Sequence, residues 1–252
     1  MNRLFDLGGR VAVVTGANTG LGQAIAVALA QAGADVALVG RSAMDETASR
    51  IAAAGRESIA IGADLSTITP IPDIVRRVDD WRGRLDILVN NAGIIRRADA
   101  LEFGEDDWDA VMGTNLKSVF FLSQAAARHM VAHACGGKII NVASVLSFQG
   151  GIRVASYTSA KSGLAGLTRL LANEWASRRI NVNAIAPGYF ETSNTAALRA
   201  DAERNAAILA RIPAGHWGRP EELGGAAVFL ASRASDYVHG ITLPVDGGWL
   251  AR

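Results

Sequence analysis

The sequence is poor in cysteine and in long apolar runs, and each shortage excludes a class of protein. Cys135 is the only cysteine, so an intramolecular disulfide and a cysteine-based metal site are impossible. No apolar run approaches the roughly 20 residues that cross a bilayer. The first residues, "MNRLFDLGGRVAVV", lack the apolar segment of a signal peptide. The expectation is a soluble, cytoplasmic protein.

A charge excess is also absent. The chain has 25 Lys and Arg against 24 Asp and Glu, a formal net charge of +1. Such a chain has no overall field to attract nucleic acid or a membrane surface. With 252 residues, half of them hydrophobic, it can bury a sizeable core. We therefore expect a globular protein with neither nucleic acid nor a membrane as a partner.

Short apolar runs alternate with amphipathic helical patterns along the chain. Strands are predicted at 10–16, 35–40, 58–65, 85–93, 138–144, 180–188 and 241–248. Helices are predicted at 21–33, 43–54, 72–82, 105–133, 155–177 and 220–232. Nearly continuous apolar strands separated by helices are typical of a parallel sheet covered on both faces. The pattern predicts an α/β fold: a single doubly wound Rossmann-type domain over 1–252, with a central parallel sheet of about seven strands. The looser segment 190–219 is predicted to be a mobile lid over the site.

Three glycines stand between the first strand and the first helix. In "VVTGANTGLGQAIA", Gly16, Gly20 and Gly22 permit a tight turn and a close approach of backbone to a pyrophosphate. The helix N-terminus supplies free N–H groups and a favourable dipole. The spacing differs from the commoner G-x-G-x-x-G, and glycines at such a turn can be purely structural. Their place in the first strand–helix unit favours a dinucleotide site.

The end of the second strand bears on which dinucleotide is bound. A cofactor without a 2′-phosphate usually meets an acidic residue there, whereas an Arg accommodates the phosphate. The strand ends "VGRS", so Arg41 stands in place of an acid. The glycine loop itself carries Asn18 and Thr19 and no basic residue. These residues leave the choice between NAD and NADP open.

A tyrosine and a lysine stand four residues apart at the predicted start of the helix at 155–177. Tyr157 and Lys161 share a helix face, and an ammonium beside a phenol lowers its pKa from about 10. The pair can then serve as a general acid/base, although a packed Tyr beside a solvated Lys is the alternative. Ser144 follows the fifth strand, at the sheet edge where ligands gather; it could hold a substrate oxygen or merely cap a turn. Asn115 lies inside the helix predicted at 105–133, where Asn is unfavourable unless its amide has a role.

Together these residues resemble the short-chain dehydrogenase/reductase family. The matching strings are "TGANTGLG", "NNAG", Asn115, Ser144, "YTSAK", "PG" and "VDGG", and they span the chain in the order of the family. The resemblance implies that Tyr157 is the catalytic acid/base and that Ser144 positions the substrate oxygen. It implies that Lys161 lowers the pKa of the tyrosine and holds the nicotinamide ribose. Asn115 would support a water that links the lysine to solvent.

The resemblance also implies a cofactor site. Its residues would be Gly16, Asn18, Gly20, Leu21, Gly22, Arg41, Asp64, Leu65, Asn91, Ala92, Gly93, Tyr157, Lys161, Pro187, Gly188 and Thr192. Asn90 is more consistent with a structural role. Family members commonly form tetramers through the two long helices and the C-terminal segment, so a homotetramer is expected.

Several loop strings resemble a subgroup of this family that acts on sugar acids in pectin and uronate catabolism. They are "FDLGGRVAVVTGANTGLGQ", "NNAGIIRRADALEF", "SFQGGIRVASYTSAKSG", "RIPAGHWGRPEEL" and "VDGGWLAR". That subgroup is usually NAD-linked, so NAD is the expected cofactor despite Arg41, with NADP possible. The implied reaction is reversible hydride transfer between the nicotinamide and carbon 5 of a keto-deoxy sugar acid.

The implied substrate carries a carboxylate, which an Arg recognises well. The expected substrate-binding residues are Ser144, Gln149, Arg153 and Tyr157. Arg153 is preferred for the carboxylate on position, and weaker candidates are Arg96, Arg97, His216 and Trp217. Three alternatives remain: a sister sugar-acid or polyol dehydrogenase, an acyl-carrier-protein reductase, and a non-catalytic dinucleotide-binding sensor. The sensor is disfavoured because the tyrosine, the lysine and the serine are all present.

The four histidines do not form a metal-binding pattern in the sequence. His129 and His133 are four residues apart, but no acidic residue or third histidine accompanies them. We therefore predict no metal site and interpret the pair as a helix surface or a subunit contact.

Overall fold

The computed structural model describes residues 4–252, and a seven-stranded parallel sheet forms its centre. The strands are β1 (Val11–Thr15), β2 (Asp35–Gly40), β3 (Ser58–Gly62), β4 (Ile87–Asn90), β5 (Gly137–Val142), β6 (Ile180–Pro187) and β7 (Thr242–Val245). Their order is β3-β2-β1-β4-β5-β6-β7, and every neighbouring pair is parallel. The order reverses beside β1, which opens a crevice at the carboxyl ends of the strands. The predicted doubly wound fold is confirmed.

Helices cover both faces of the sheet. They are α1 (Gly20–Gln31), α2 (Asp45–Ala53), α3 (Ile71–Arg82), α4 (Glu105–Met112), α5 (Ser118–Ala132), α6 (Ala155–Trp175), α7 (Ala196–Ala200), α8 (Ala202–Arg211) and α9 (Gly224–Ala231). Successive strand residues point to opposite faces. Val14 therefore packs in a core layer with α1 and α9, whereas Val13 packs in a second layer with α3 and α5. Burial on both faces explains why the strands are almost continuously apolar.

Two helical segments differ from the prediction. The helix predicted at 105–133 is interrupted by a π-helical turn at Gly113–Lys117, which separates α4 from α5. Such a turn adds a residue to the helical repeat and re-aims side chains. The segment predicted as a loose lid, 190–219, contains the helices α7 and α8, and its ends meet in a bridge between Phe190 and Gly218.

Over residues 4–252, no helix is both long enough and apolar enough to cross a membrane.

Candidate active site

The glycine loop after β1 is shaped for close contact with a ligand. Gly16 and Gly20 have φ values of 65° and 59°, a conformation that other residues rarely adopt. A Cβ on Gly22 would overlap the carbonyl oxygen of Gly16 and the side chain of Asn91. Helix α1 begins here with no side-chain cap on its first N–H groups and no acidic residue in its first turn. These free donors fit a pyrophosphate.

The loop after β4 is fastened to the glycine loop. The backbone N–H groups of Asn91 and Ala92 donate to Oγ1 of Thr15 at 3.0 and 2.9 Å. The amide of Asn91 donates to the Thr15 carbonyl oxygen at 2.9 Å. Thr15 was missed by the sequence analysis, although it directly precedes the glycine motif. Asn90 is buried and donates to Oδ1 of Asn141 at 2.9 Å, in agreement with a structural role.

The adenosine side of the crevice lies at the ends of β2 and β3. The amide of Asn18 donates to Oγ of Ser42 at 2.9 Å, beside the exposed Arg41. The pKa of Asp64 is lowered, first by a hydrogen bond from the Ser66 backbone and more weakly by the charge of Arg41. Thus an exposed guanidinium, and no acid, occupies the end of β2. Two neighbouring cofactor candidates, Leu21 and Leu65, are partly buried and buried respectively.

Tyr157 and Lys161 occupy the first turns of α6 as the sequence predicts. Nζ of Lys161 lies 5.6 Å from the centroid of the Tyr157 ring. The ammonium donates to the carbonyl oxygen of Val142, the last residue of β5, at 2.6 Å. Lys161 is 4% exposed, and this burial lowers its pKa from 10.5 to about 8. The lysine therefore joins α6 to the carboxyl edge of the sheet.

The pKa of Tyr157 differs from the sequence-based expectation. Burial raises this pKa above its ordinary value, and the opposing influences are a hydrogen bond with Ser144 and the charge of Arg97. The ammonium of Lys161, which the sequence predicted to lower this pKa, is hydrogen-bonded to the Val142 carbonyl oxygen. In this arrangement the phenol is protonated near neutral pH, so it is ready to donate a proton.

Ser144 lies two residues beyond β5, where it caps a short 3₁₀ turn. Its Oγ accepts a hydrogen bond from the Leu146 backbone N–H at 3.1 Å. In the same turn, Oγ of Ser147 donates to the carbonyl oxygen of Lys161 at 2.6 Å. The sequence carries no signal for this second serine. Together the two serines hold the loop after β5 against the helix that carries Tyr157.

Asn115 lies in the π-helical turn and is fully buried. Its Oδ1 accepts from the Ile94 backbone N–H at 2.9 Å, and its Nδ2 donates to the Ile94 carbonyl oxygen at 2.8 Å. A Cβ on the neighbouring Gly93 would stand 3.2 Å from Oδ1. The amide therefore pairs with the chain just after "NNAG", which is the role that the unfavourable mid-helix Asn indicated.

The expected substrate residues lie at the mouth of the crevice, but they are not equally free. Oε1 of Gln149 accepts hydrogen bonds from Nη2 of Arg211 at 3.0 Å and from Nε1 of Trp249 at 3.2 Å. Gln149 thereby joins the loop after β5 to α8 and to the C-terminal segment. Arg153 is exposed, with a φ of 63°, and its carbonyl oxygen accepts from the Ala98 backbone N–H at 3.2 Å.

The weaker candidates for substrate binding also differ in whether their side chains are already engaged by other residues. Arg96 pairs with Asp107 at 3.0 Å, whereas the charge of the exposed Arg97 lowers the pKa of Tyr157. Nδ1 of His216 is hydrogen-bonded with the carbonyl oxygen of Trp217 at 2.8 Å. Trp217 is buried in a small core beneath the lid. Of the arginines expected near the substrate, Arg97 and Arg153 are exposed and Arg96 is engaged in an ion pair.

The residues expected beside the nicotinamide connect the sheet with the lid. Pro187 ends β6, and a Cβ on Gly188 would stand 2.7 Å from Cα of Asp246. The side chain of Thr192 faces the glycine loop, since a Cβ on Gly20 would lie 3.6 Å from its Cγ2. A cavity of about 300 Å³ separates the glycine loop from this first part of the lid.

Comparison with known proteins identifies the family. Residues 16–250 match the family model described as enoyl-(acyl carrier protein) reductase. The chain belongs to the short-chain dehydrogenase/reductase family. It is 61% identical over 248 residues to the 2-dehydro-3-deoxy-D-gluconate 5-dehydrogenase of Escherichia coli K12, with 98% of each chain covered. It is 44% identical to the gluconate 5-dehydrogenase of Gluconobacter oxydans, with 97% of this chain and 96% of that one covered.

A solved structure extends the comparison. This short-chain dehydrogenase/reductase superposes with a TM-score of 0.92 on a proposed 2-deoxy-D-gluconate 3-dehydrogenase from Agrobacterium tumefaciens with bound NADP. The two chains are 60% identical and each is covered completely. The chain is thus an oxidoreductase of a nicotinamide-dependent family, as the sequence motifs predicted.

Proposed function

We propose that the protein catalyses reversible hydride transfer between a nicotinamide dinucleotide and carbon 5 of a keto-deoxy sugar acid. The substrate pair would be 2-keto-3-deoxygluconate and 2,5-diketo-3-deoxygluconate. One observation carries the proposal: Tyr157, Lys161 and Ser144 meet at the carboxyl edge of the sheet. The activity named for the E. coli relative, at 61% identity over 98% of the chain, supports the choice of substrate.

The proposed chemistry divides between the cofactor and the chain. The bound cofactor supplies a hydride to the carbonyl carbon in reduction and accepts one in oxidation. Ser144 and Tyr157 hydrogen-bond the carbonyl oxygen, and Tyr157 donates its phenolic proton to that oxygen as the C–H bond forms. The product is the secondary alcohol, and the phenolate recovers its proton from solvent. Donors aimed at the oxygen stabilise the charge that develops there.

Lys161 and Asn115 are proposed to act in support of these two residues. The buried Lys161 is held by the Val142 carbonyl, from which its remaining N–H donors can reach a ribose hydroxyl. Asn115 hydrogen-bonds both the N–H and the carbonyl group of Ile94. It thereby holds the chain directly after Asn91, Ala92 and Gly93, the residues proposed to face the ribose. A water between Asn115 and Lys161 remains part of the proposal.

The substrate carboxylate is proposed to bind Arg153, with Arg97 as the second cation. Both are exposed, and the chain segments that carry them are joined by the Ala98–Arg153 backbone hydrogen bond. Gln149 retains its amide donors for a substrate hydroxyl, because only its oxygen is engaged by Arg211 and Trp249. The segment 190–219 is proposed to close over the bound substrate.

NAD is the proposed cofactor on the subgroup resemblance, and NADP is a second candidate. Arg41 and Ser42 at the end of β2 favour NADP, since they offer a guanidinium and a hydroxyl where an NAD site usually has an acid. The similar structure from A. tumefaciens contains NADP.

A homotetramer is also proposed. Helices α4, α5 and α6 expose apolar side chains, among them Trp108 at 39%, Val131 at 41% and Leu170 at 49%. Near the C-terminus, Tyr237 is fully exposed and Ile241 is 42% exposed. Light scattering on the purified protein measures the assembly directly. The cytoplasmic location expected from the sequence stays a prediction.

Initial rates test the function. Purified protein is assayed by nicotinamide absorbance with 2-keto-3-deoxygluconate and with gluconate, each with NAD⁺ and NADP⁺. Rapid reduction of NAD⁺ with the keto-deoxy acid alone is expected. Activity with gluconate alone would replace the substrate by that of the G. oxydans relative, and activity with NADP⁺ alone would replace the cofactor. No turnover with any sugar acid, together with intact nucleotide binding, would favour the sensor alternative.

A further inference from the structure

The structure places an acid beside the two histidines on α5, although none accompanies them in the sequence. Nε2 of His129 lies 2.9 Å from Oδ1 of Asp79, and Nε2 of His133 lies 3.6 Å from the same oxygen. Asp79 is on α3, 50 residues before His129. The three ligand atoms lie within 4.8 Å of one another. The expectation that the histidines lack an acidic partner is therefore wrong.

These distances suit a single ion. Two atoms bound to one zinc ion at about 2.1 Å with tetrahedral geometry stand roughly 3.4 Å apart, between the two observed separations. The imidazole rings of His129 and His133 are stacked, with centroids 4.0 Å apart and planes 20° from parallel. Small rotations of the three side chains would bring their ligand atoms around one centre.

The protonation pattern of His133 also suits a ligand. Its Nδ1 lies 3.0 Å from the carbonyl oxygen of His129, so Nδ1 carries a proton. In the neutral imidazole, Nε2 is then the nitrogen that is free to bind an ion on the side of the carboxylate. Histidines that bind metals usually donate their second N–H to such an acceptor.

His129 is the third candidate ligand, and binding an ion through it lowers the affinity of the site for that ion. Its side chain is 7% exposed, and its Nε2 donates to Asp79. When Nε2 binds an ion, the proton must move to Nδ1, which is buried and has no hydrogen-bond partner among residues 4–252. The expected affinity is therefore moderate, weaker than that of a closed structural zinc site.

We propose that Asp79, His129 and His133 form a binding site for a divalent transition-metal ion that joins α3 to α5. Two imidazoles and one carboxylate select zinc, nickel or copper rather than magnesium or calcium, which prefer oxygen ligands. Asp79 and His133 are each 42% exposed at the side chain, so the ion enters from solvent and water fills its remaining positions. The site is separate from the residues proposed for catalysis.

Calorimetric titration of ZnCl₂ into the untagged full-length protein tests the proposal. We expect one ion per chain for the wild type, and binding at least roughly tenfold weaker in Asp79→Asn and His133→Ala. The exposed His239 lies outside the cluster, so His239→Ala is the matched control and should bind as the wild type does. Both test positions are partly exposed, and circular dichroism checks that the variants are folded.

A second readout is the unfolding temperature. Because the ion links two helices, zinc should raise this temperature in the wild type and in His239→Ala, but not in the two cluster variants. Absence of stoichiometric binding to the wild type overturns the proposal. Binding that survives unchanged in either Asp79→Asn or His133→Ala also overturns it, since the ion would then lie elsewhere.

Discussion

The proposed chemistry depends on Tyr157. Its surroundings determine whether reduction or oxidation of the substrate is favoured at neutral pH. Burial keeps the phenol protonated, while Ser144 and Arg97 limit the increase in its pKa. A protonated phenol can donate to a carbonyl oxygen, as reduction requires. Oxidation needs the phenolate, which becomes available only as the pH increases.

Removal of the phenolic oxygen should greatly reduce turnover, while the protein should still bind the cofactor. We expect Tyr157→Phe to lower kcat by roughly 10²–10⁴-fold, the usual contribution of general acid/base catalysis. Binding of the dinucleotide, measured by fluorescence titration, should change little. A variant that keeps most of its activity would show that another group moves the proton.

The dependence of the oxidation rate on pH tests how the neighbours of Tyr157 change its pKa. Ser144 lowers the pKa of this phenol, so Ser144→Ala should move the limb of the oxidation profile on which the rate rises with pH to higher pH. Arg97→Ala should move the limb in the same direction, because a positive charge that favours the phenolate is lost. Rates of oxidation across the pH range provide the measurement. An unchanged limb in both variants would mean that the limb belongs to a group other than Tyr157.

Arg41 can be tested independently of the chemistry. If its guanidinium contacts a 2′-phosphate, Arg41→Ala should weaken NADP binding by roughly 10- to 100-fold, as expected for the loss of a charged hydrogen bond. Binding of NAD should change by much less. Calorimetric titration of both nucleotides gives the ratio, and equal weakening of the two would assign Arg41 a structural role. Arg76, an exposed cation on α3, is a suitable control position.

At the scale of elements, the strands could be predicted from the sequence and the π-helical turn could not. Buried parallel strands have no polar face, so an unbroken apolar run such as "VAVV" signals them directly. The turn at Gly113–Lys117 keeps the apolar spacing of a helix almost unchanged, and only the unfavourable Asn115 hinted at it. The contacts of His129 with Asp79 join segments 50 residues apart, and no local pattern carries that information. The contacts of Gln149 with Arg211 and Trp249 are equally distant in sequence and equally invisible to local patterns.

The π-helical turn gives Asn115 a structural role whose loss can be measured. Asn115→Ala leaves the partly buried Ile94 N–H and carbonyl groups without their partner, which should destabilise the protein by about 1–3 kcal/mol. The cofactor should also bind more weakly, since the segment after β4 loses its anchor. Denaturant unfolding with and without NAD measures both effects.

Asn173→Ala on the exposed part of α6 is the control, and it should stay within about 0.5 kcal/mol of the wild type. A loss of activity without any loss of stability would point instead to the water-holding role.

At the scale of the whole molecule, Asp86 holds the amino edge of the sheet, opposite the proposed active site. It is 2% exposed and accepts hydrogen bonds from Arg10, Arg84 and the Val11 backbone at 2.6–2.9 Å. Burial alone would raise the pKa of this carboxyl, but the hydrogen bonds, that of Arg84 foremost, lower it below its ordinary value. The ionised form is therefore more stable in the folded protein than in the unfolded chain.

The sign of the pH dependence follows from that lowered pKa. The contribution of Asp86 is fully present above the unfolded pKa of about 3.9 and is lost as the pH falls through the lower pKa of the folded state.

At neutral pH, Asp86→Ala should reduce the free energy of unfolding by about 2–3 kcal/mol, the range for hydrogen bonds to a charged group. The difference from the wild type should shrink in strong acid, where the wild-type carboxyl is also protonated. Denaturant unfolding at several pH values measures this, and a difference that stays constant down to the lowest pH would mean that packing, not charge, supplies the contribution of Asp86. Because this cluster lies at the edge opposite Tyr157, kcat of the folded variant should remain close to that of the wild type.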